Sequence, residues 1–139
     1  LAHLTVPEVQ ADRLGIAIRC AAEWGQVVVL KGANTVVAAP DGHACVIPFA
    51  NPGLATAGSG DVLAGAIVGL LAQGMAPFPA AIAGAYLHGL AGDLTAREIG
   101  QVGMVASDLI PMLPRAIRNL GATVMALPPA ASPTVSEPG

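Results

Sequence analysis

The spacing of apolar residues divides the chain into four helical stretches and a short β region. Apolar residues recur at helical intervals over approximately Pro7–Trp24, Asp61–Gln73, Phe78–Glu98 and Ser107–Leu120. Thr5 is the predicted N-cap of the first helix, because Glu8 follows it at the spacing of a capping box, and Gly25 is predicted to end this helix. In the last helix Ser107 is the predicted N-cap, and Pro111 falls in the first turn, where proline is tolerated.

The β region begins with the β-branched run in Gln26–Leu30, a pattern typical of a strand buried on both faces in a parallel sheet. Thr35–Ala39 and Ala44–Phe49 then flank the turn sequence Pro40–His43, which predicts a β-hairpin. Helices and strands in this order indicate the α/β class. One buried strand and a hairpin would leave sheet edges uncovered, so further strands are expected from elsewhere.

Composition supports a folded domain for most of the chain. Of 139 residues, 54% are hydrophobic and only 3% aromatic, so the core is expected to consist of aliphatic side chains. After residue 126 the composition becomes proline-rich and poor in large apolar residues. We therefore expect one domain over residues 1–126, followed by a disordered tail over residues 127–139.

Charge and cysteine content limit the partners and the compartment. The net charge is -3, Lys31 is the only lysine, and the arginines are scattered, so no basic patch for nucleic acid is expected. Cys20 and Cys45 form neither a CxxC motif nor a Cys/His spacing. They are predicted to be reduced residues of the core, as in a cytoplasmic protein.

The stretch Val62–Gly92 carries no Asp, Glu, Lys or Arg, which raises the question of a membrane span. Gln73, Gly74, Pro77 and Pro79 interrupt it, and each remaining piece is shorter than the ~20 apolar residues that a span needs. The sequence therefore predicts two buried helices and no membrane association.

A glycine-rich loop, Asn51–Asp61, leads directly into the second helix. Backbone amides around Gly58, Ser59 and Gly60, together with the positive end of that helix, would make an anion site suited to phosphate. Asp61 would repel a phosphate, so its presence there suggests a general base that takes a proton from an attacking hydroxyl. The alternative is that Asp61 or Ser59 simply caps the helix.

A second candidate segment, Lys31-Gly32-Ala33-Asn34-Thr35, follows the first strand. In open α/β sheets ligands bind at the carboxyl ends of strands. The backbone of this segment and the side chains of Asn34 and Thr35 could therefore contact a nucleotide. The alternative is a polar loop that only leads into the hairpin.

Other polar and aromatic residues are given structural roles. His88 lies among apolar helical residues and is predicted to be a hydrogen-bonded core histidine rather than a proton donor. Asp93 and Asp108, near helix ends, are also predicted to be structural. Trp24 is expected to pack in the core, with stacking on a nucleotide as the lesser alternative.

Five segments together carry a resemblance to a known family. They are Val28–Thr35, Asn51–Gly65, Leu70–Gly74, Tyr86–Asp93 and Ala106–Ile110, and they resemble the ADP/ATP-dependent NAD(P)H-hydrate dehydratases. These enzymes belong to the ribokinase-like superfamily. The resemblance implies a ribokinase-like three-layer α/β fold, of which this chain would form the C-terminal half.

The resemblance also implies a function. It suggests nicotinamide-nucleotide repair, in which water is removed from the S-epimer of hydrated NADH or NADPH and ADP or ATP is consumed. The stretch Lys31–Thr35 and Gly58 to Gly60 would contact the nucleotide, and Asn51 and Asp61 the substrate, with Asp61 as the catalytic base. Mg²⁺ would arrive with the nucleotide, since the sequence offers no metal-binding site of its own. The family tends to form homotetramers.

The chain departs from the family pattern in two respects. Family domains are about twice this length, and their first half carries a His-Pro-Gly-Glu-type substrate segment that is absent here. Ala50 also replaces a glycine that usually precedes Asn51. We therefore expect the isolated chain to be inactive, and two other functions stay open, a small-molecule kinase of the same superfamily and a non-catalytic nucleotide-binding module.

Overall fold

The computed structural model describes residues 4–126, and residues 122–126 by their backbone alone. The predicted disordered tail, residues 127–139, lies outside the described residues. The helices are α1 (Val6–Ala11), α2 (Arg13–Trp24), α3 (Ser59–Ala72), α4 (Pro77–Ile99), α5 (Ala106–Leu109) and α6 (Met112–Ala126). The strands are β1 (Val28–Leu30), β2 (Val36–Ala38) and β3 (Ala44–Val46), and a 3₁₀ turn covers Pro52–Ala55.

The three strands form an antiparallel sheet in the order β1-β2-β3, which confirms the predicted hairpin. Val37 of β2 lies opposite Val29 on one side and Cys45 on the other. The prediction that the first strand is buried on both faces of a parallel sheet is wrong for the described residues. β1 is only half-buried because β2 is its single neighbour there, and β2 is the strand that is buried throughout.

Helices cover both faces of this sheet. Val36 and Ala38 point to one face and pack against Ala17 and Ala21 of α2. Val37 points to the opposite face, where a second cluster includes Leu63 of α3 and Ala81 and Ala85 of α4. The alternation along β2 follows the two-residue period of a strand. It produces the helix-sheet-helix layering expected from the sequence.

The first predicted helix is two helices, α1 and α2, because the backbone turns at Asp12. Asp12 has φ -144° and its Oδ1 accepts a hydrogen bond of 2.9 Å from the N–H of Gly15, so it caps α2. The predicted ends are confirmed. Thr5 is the N-cap of α1 and donates its N–H and its hydroxyl to Glu8, and Gly25 ends α2 with φ 63°.

The last predicted helix is also divided, into α5 and α6, at Ile110 and Pro111. Pro111 has no N–H to donate and lies between the helices rather than in a first turn. Val105, not Ser107, is the N-cap of α5, and the carboxylate of Asp108 accepts its N–H at 2.9 Å. This bond gives Asp108 the structural role that was predicted.

Glycines of α4 allow the neighbouring elements to approach closely. A Cβ on Gly84 would lie 2.5 Å from Cγ1 of Ile67 in α3, and one on Gly92 would lie 2.7 Å from Cδ2 of Leu54 in the 3₁₀ turn. Both glycines are buried. Helix α4 therefore packs closely against both α3 and the glycine-rich loop, the two elements that carry Gly60 and Asn51.

The prediction for Trp24 is wrong, whereas the two cysteines are free thiols as expected. Trp24 does not pack in the core, since 49% of its surface is exposed at the end of α2. Cys20 is buried and Cys45 half-buried, and both are free thiols, as predicted.

No helix within residues 4–126 combines the length and apolar character needed to cross a membrane.

Candidate functional site

The two segments singled out in the sequence meet at the start of α3. A Cβ added to Gly60 would lie only 2.5 Å from Nζ of Lys31. The Lys31 ammonium group therefore lies over the glycine backbone of the first turn. This contact brings together one residue that precedes the hairpin in the sequence and one that follows it.

The first turn of α3 has donors available for an anion. Gly58 is the N-cap, with φ 82°, and the N–H groups of Asp61 and Val62 both bond to its carbonyl oxygen. Within the described residues the N–H of Gly60 has no acceptor. That N–H, the helix dipole and the nearby Lys31 ammonium make this turn electropositive.

The structure excludes a capping role for Ser59 or Asp61, because Gly58 is the N-cap. Ser59 is buried and its hydroxyl donates a 2.6 Å hydrogen bond to the carbonyl oxygen of Leu54, which anchors the loop before the helix. Asp61 lies exposed in the first turn. No ion pair among the described residues involves Asp61 or Lys31.

A cavity of about 460 Å³ opens between the hairpin, the glycine-rich loop and α4. The predicted site residues that line it are Lys31, Gly32, Ala33, Thr35, Asn51 and Ser59. Asn34, Gly58, Gly60 and Asp61 do not line it. Asp61 instead faces a second, more open depression of about 450 Å³, whose walls include Val62, Ile110 and Leu113. The first turn of α3 thus separates two concave surfaces.

The loop after β1 is held by its own backbone and by the segment that follows β3. Asn34 adopts φ 52°, and its N–H donates a 2.8 Å hydrogen bond to the carbonyl oxygen of Phe49. Thr35 donates its hydroxyl to the carbonyl oxygen of Gly32 at 3.1 Å. The ring of Phe49 packs edge-on against Tyr86 of α4, with centroids 5.1 Å apart. These contacts give the loop a defined shape.

Asn51 organises the glycine-rich loop. Its Oδ1 accepts the N–H of Gly53 at 2.9 Å, and its Nδ2 donates to Oδ1 of Asp93 in α4 at 3.2 Å. Asp93 therefore has the structural role that was predicted. Both ends of the Asn51 amide are engaged, and its contact with substrate stays a prediction.

His88 is the residue whose place in the site the sequence reading did not identify. It is buried, and its Nε2 lies 2.9 Å from the carbonyl oxygen of Ser59, which confirms a hydrogen-bonded core histidine. Since a carbonyl oxygen only accepts, Nε2 carries the proton. His88 also lines the main cavity and links α4 to the first turn of α3. A lone histidine in an apolar helix gave no signal of that link.

Burial lowers the pKa of His88 below its usual value of 6.5, and the positive charge of Lys31 acts in the same direction, while the bond to Ser59 opposes both. The folded protein therefore holds His88 neutral where the unfolded chain begins to bind a proton. Stability conferred by neutral His88 is present above pH 6.5 and is lost as the pH falls towards the lower pKa of the folded state.

We expect His88→Gln, which can still donate to Ser59, to flatten the decline in the free energy of unfolding between about pH 7 and pH 5. Urea unfolding at about pH 7 and about pH 5 measures this difference in the free energy of unfolding. Equal declines in His88→Gln and the unsubstituted chain would refute the assignment of a neutral buried histidine.

The family model of the NAD(P)H-hydrate dehydratases matches residues 1–115. The chain belongs to the NAD(P)H-hydrate dehydratase family. The match includes the loop after β1, the glycine-rich loop and α3 to α5, and so contains every predicted site residue.

Curated members of the NAD(P)H-hydrate dehydratase family are similar over most of this chain. It is 56% identical over 116 residues to a bifunctional NAD(P)H-hydrate repair enzyme of Moorella thermoacetica, covering 84% of this chain and 22% of that protein. It is 49% identical over 116 residues to an ADP-dependent (S)-NAD(P)H-hydrate dehydratase of Neisseria meningitidis, and this match covers 83% of this chain and 39% of that protein. The chain thus spans much less than half of these relatives, and it corresponds to their C-terminal part.

Solved structures of the NAD(P)H-hydrate dehydratase family share the fold. An ADP/ATP-dependent NAD(P)H-hydrate dehydratase from Bacillus subtilis, co-crystallized with ATP/Mg²⁺, superposes with a TM-score of 0.78 and 38% sequence identity. The superposition covers 82% of this chain and 41% of that one. The predicted fold, the C-terminal half of a ribokinase-like α/β domain, is therefore confirmed.

Proposed function

We propose that the protein repairs nicotinamide nucleotides by removing water from the S-epimer of hydrated NADH or NADPH, with ADP or ATP consumed in each turnover. Family membership and the names of the relatives support the reaction class. The observation that carries the proposal is the position of Lys31 Nζ over Gly60, which joins the two candidate segments at one helix N-terminus.

The phosphates of the nucleotide would bind at the first turn of α3. The free N–H of Gly60 and the Lys31 ammonium group are the donors there. Glycine at residue 60 fits this role, because any larger residue would fill the space between its backbone and Lys31. Gly32, Ala33 and Thr35 line the main cavity, and together with Asn34 they would contact the nucleoside part.

Asp61 would act as the general base. Its carboxylate takes the proton from the ring hydroxyl of the hydrated nicotinamide, and that oxygen forms a bond to the terminal phosphorus. The bond from that phosphorus to the bridging oxygen of the nucleotide breaks, which releases AMP from ADP or ADP from ATP. Lys31 and the N–H of Gly60 stabilise the charge on the transferred phosphoryl group.

The phosphorylated ring then loses phosphate. The lone pair of the ring nitrogen expels phosphate by cleavage of the ring C–O bond, and loss of a proton from the adjacent ring carbon restores NADH or NADPH. Asp61 would then release its proton to solvent, and its exposure in the first turn of α3 supports this step.

Mg²⁺ would bind as part of the nucleotide complex and neutralise phosphate charge. Within the described residues no group of three or more His, Cys, Asp or Glu side chains could hold a metal ion. Phosphate oxygens and water would therefore supply most ligands of the ion. We further propose a cytoplasmic homotetramer, and the free thiols of Cys20 and Cys45 agree with a reducing compartment.

The deciding experiment measures regeneration of NADPH from its hydrate by absorbance, with ADP, with ATP and without nucleotide. It uses the 139-residue chain and a fusion of residues 1–126 to the N-terminal part of the Moorella relative that the match does not cover. We expect nucleotide-dependent turnover by the fusion and none by the chain alone, since the chain spans only 22% of that relative. An inactive fusion beside an active Moorella enzyme would refute the proposal.

A further inference from the structure

Arg13 joins the start of α2 to the end of β1. Its Nη2 donates hydrogen bonds to the carbonyl oxygens of Leu30, at 2.8 Å, and Lys31, at 3.0 Å. A Cβ added to Gly32 would lie 3.0 Å from the same nitrogen. The guanidinium group therefore lies directly against the backbone of the loop that carries Lys31.

These bonds fix the backbone from which the Lys31 side chain extends. Strand β1 ends at Leu30, which pairs with Val36 of β2, and Lys31 is the first residue of the loop. Gly32 then has φ 141°, a conformation that side chains rarely allow. Nη2 of the planar, permanently charged guanidinium group donates to both carbonyl groups in a fixed geometry, whereas the ammonium group of a lysine rotates freely on a flexible stem.

The local energetics do not favour Arg13 as a purely stabilising residue. Its Nε is buried without a hydrogen-bond partner, the single such side-chain nitrogen or oxygen that the described part of the chain contains. Leaving a buried charged donor unsatisfied costs stability. The bonds from Nη2 to the carbonyl oxygens of Leu30 and Lys31 offset part of that cost, and they tie Arg13 to the backbone of the loop.

We propose that Arg13 is a positioning residue of the nucleotide site, which sets the place of Lys31 over Gly60 by holding the carbonyl groups of Leu30 and Lys31. This inference rests on the proposed function, in which Lys31 binds the phosphates of the nucleotide. Arg13 itself acts through the loop backbone.

The test compares Arg13→Met, which keeps the apolar stem without donors, with Arg13→Lys and with Arg19→Ala. Arg19 lies in the same helix, but its side chain is 64% exposed and pairs with Asp12. ADP affinity is measured by calorimetry in the chain and in the fusion. We expect Arg13→Met to weaken ADP binding roughly tenfold or more, Arg13→Lys to restore part of it, and Arg19→Ala to change it by less than about twofold.

Hydrogen exchange of the loop amides distinguishes positioning from general destabilisation. In Arg13→Met, exchange should quicken at Gly32, Ala33 and Asn34 while the amides of Ala17 to Ala21 keep their rates. Unchanged ADP affinity in Arg13→Met, or faster exchange throughout α2, would overturn the role of Arg13 alone. Absence of ADP binding by the unsubstituted fusion would instead refute the proposed function, and this inference with it.

Discussion

Replacing Asp61 with Asn is expected to lower turnover of the fusion by ~10²- to 10⁴-fold, the usual contribution of a general base. The amide is nearly the same size as the carboxylate but cannot accept the hydroxyl proton. Asp61 is exposed in the first turn of α3 and is not its cap, so the substitution should cost at most about 1 kcal/mol of stability through the helix dipole. NADPH absorbance measures the rate and urea unfolding the stability.

The affinity for ADP distinguishes the loss of a general base from the loss of a group that binds phosphate. Asp61→Asn removes a negative charge beside the phosphate site, so ADP should bind with equal or slightly higher affinity. Asp41→Asn removes the same charge in the exposed hairpin turn and should leave both turnover and binding unchanged. Near-normal turnover in Asp61→Asn would remove the catalytic role proposed for this carboxylate.

Replacing Gly60 with Val should weaken nucleotide binding by roughly 2 kcal/mol or more, about thirtyfold in Kd. The new side chain would occupy the space between the helix backbone and Nζ of Lys31, which a Cβ alone would approach to 2.5 Å. The ammonium group would have to move, and the branched side chain would cover the free N–H of Gly60. Calorimetric titration of the fusion with ADP measures the loss.

Gly69→Val is the matched control for this substitution. Gly69 lies in the same helix, and a Cβ there would meet nothing within 4 Å. Both variants replace a glycine of α3 with the same side chain, so lower ADP affinity in Gly60→Val than in Gly69→Val indicates that the space at Gly60 matters for binding. Equal affinities in the two variants would mean that phosphate does not bind at the first turn of α3.

The helices and the hairpin were predictable because their signals are local. Gly25 and Thr5 end and begin helices through their own backbone and side-chain chemistry, and the hairpin follows from a turn sequence between β-branched runs. The breaks at Asp12 and Pro111 were missed because helical spacing of apolar residues continues across both. The side-chain cap at Asp12 and the missing N–H of Pro111 outweigh the periodic pattern there.

The burial of the strands could not be predicted from their residue types. Val28 to Leu30 and Val36 to Ala38 are equally apolar, yet only the second strand is fully buried, because it alone has a neighbour on each side. The geometry of the candidate site likewise could not be predicted from residue types. Sequence reading identified both of its segments, while the approach of Lys31 to Gly60 and the bond from His88 to Ser59 depend on how α4 packs.

The link between His88 and Ser59, 29 residues apart, has a consequence for the order of folding. The hairpin of β2 and β3 and the antiparallel pair α3 and α4 are local units that form early, since closing short loops costs little entropy. Lys31 reaches Gly60 only when the loop after β1 packs against α3, so the proposed phosphate site would form later in folding than these local units.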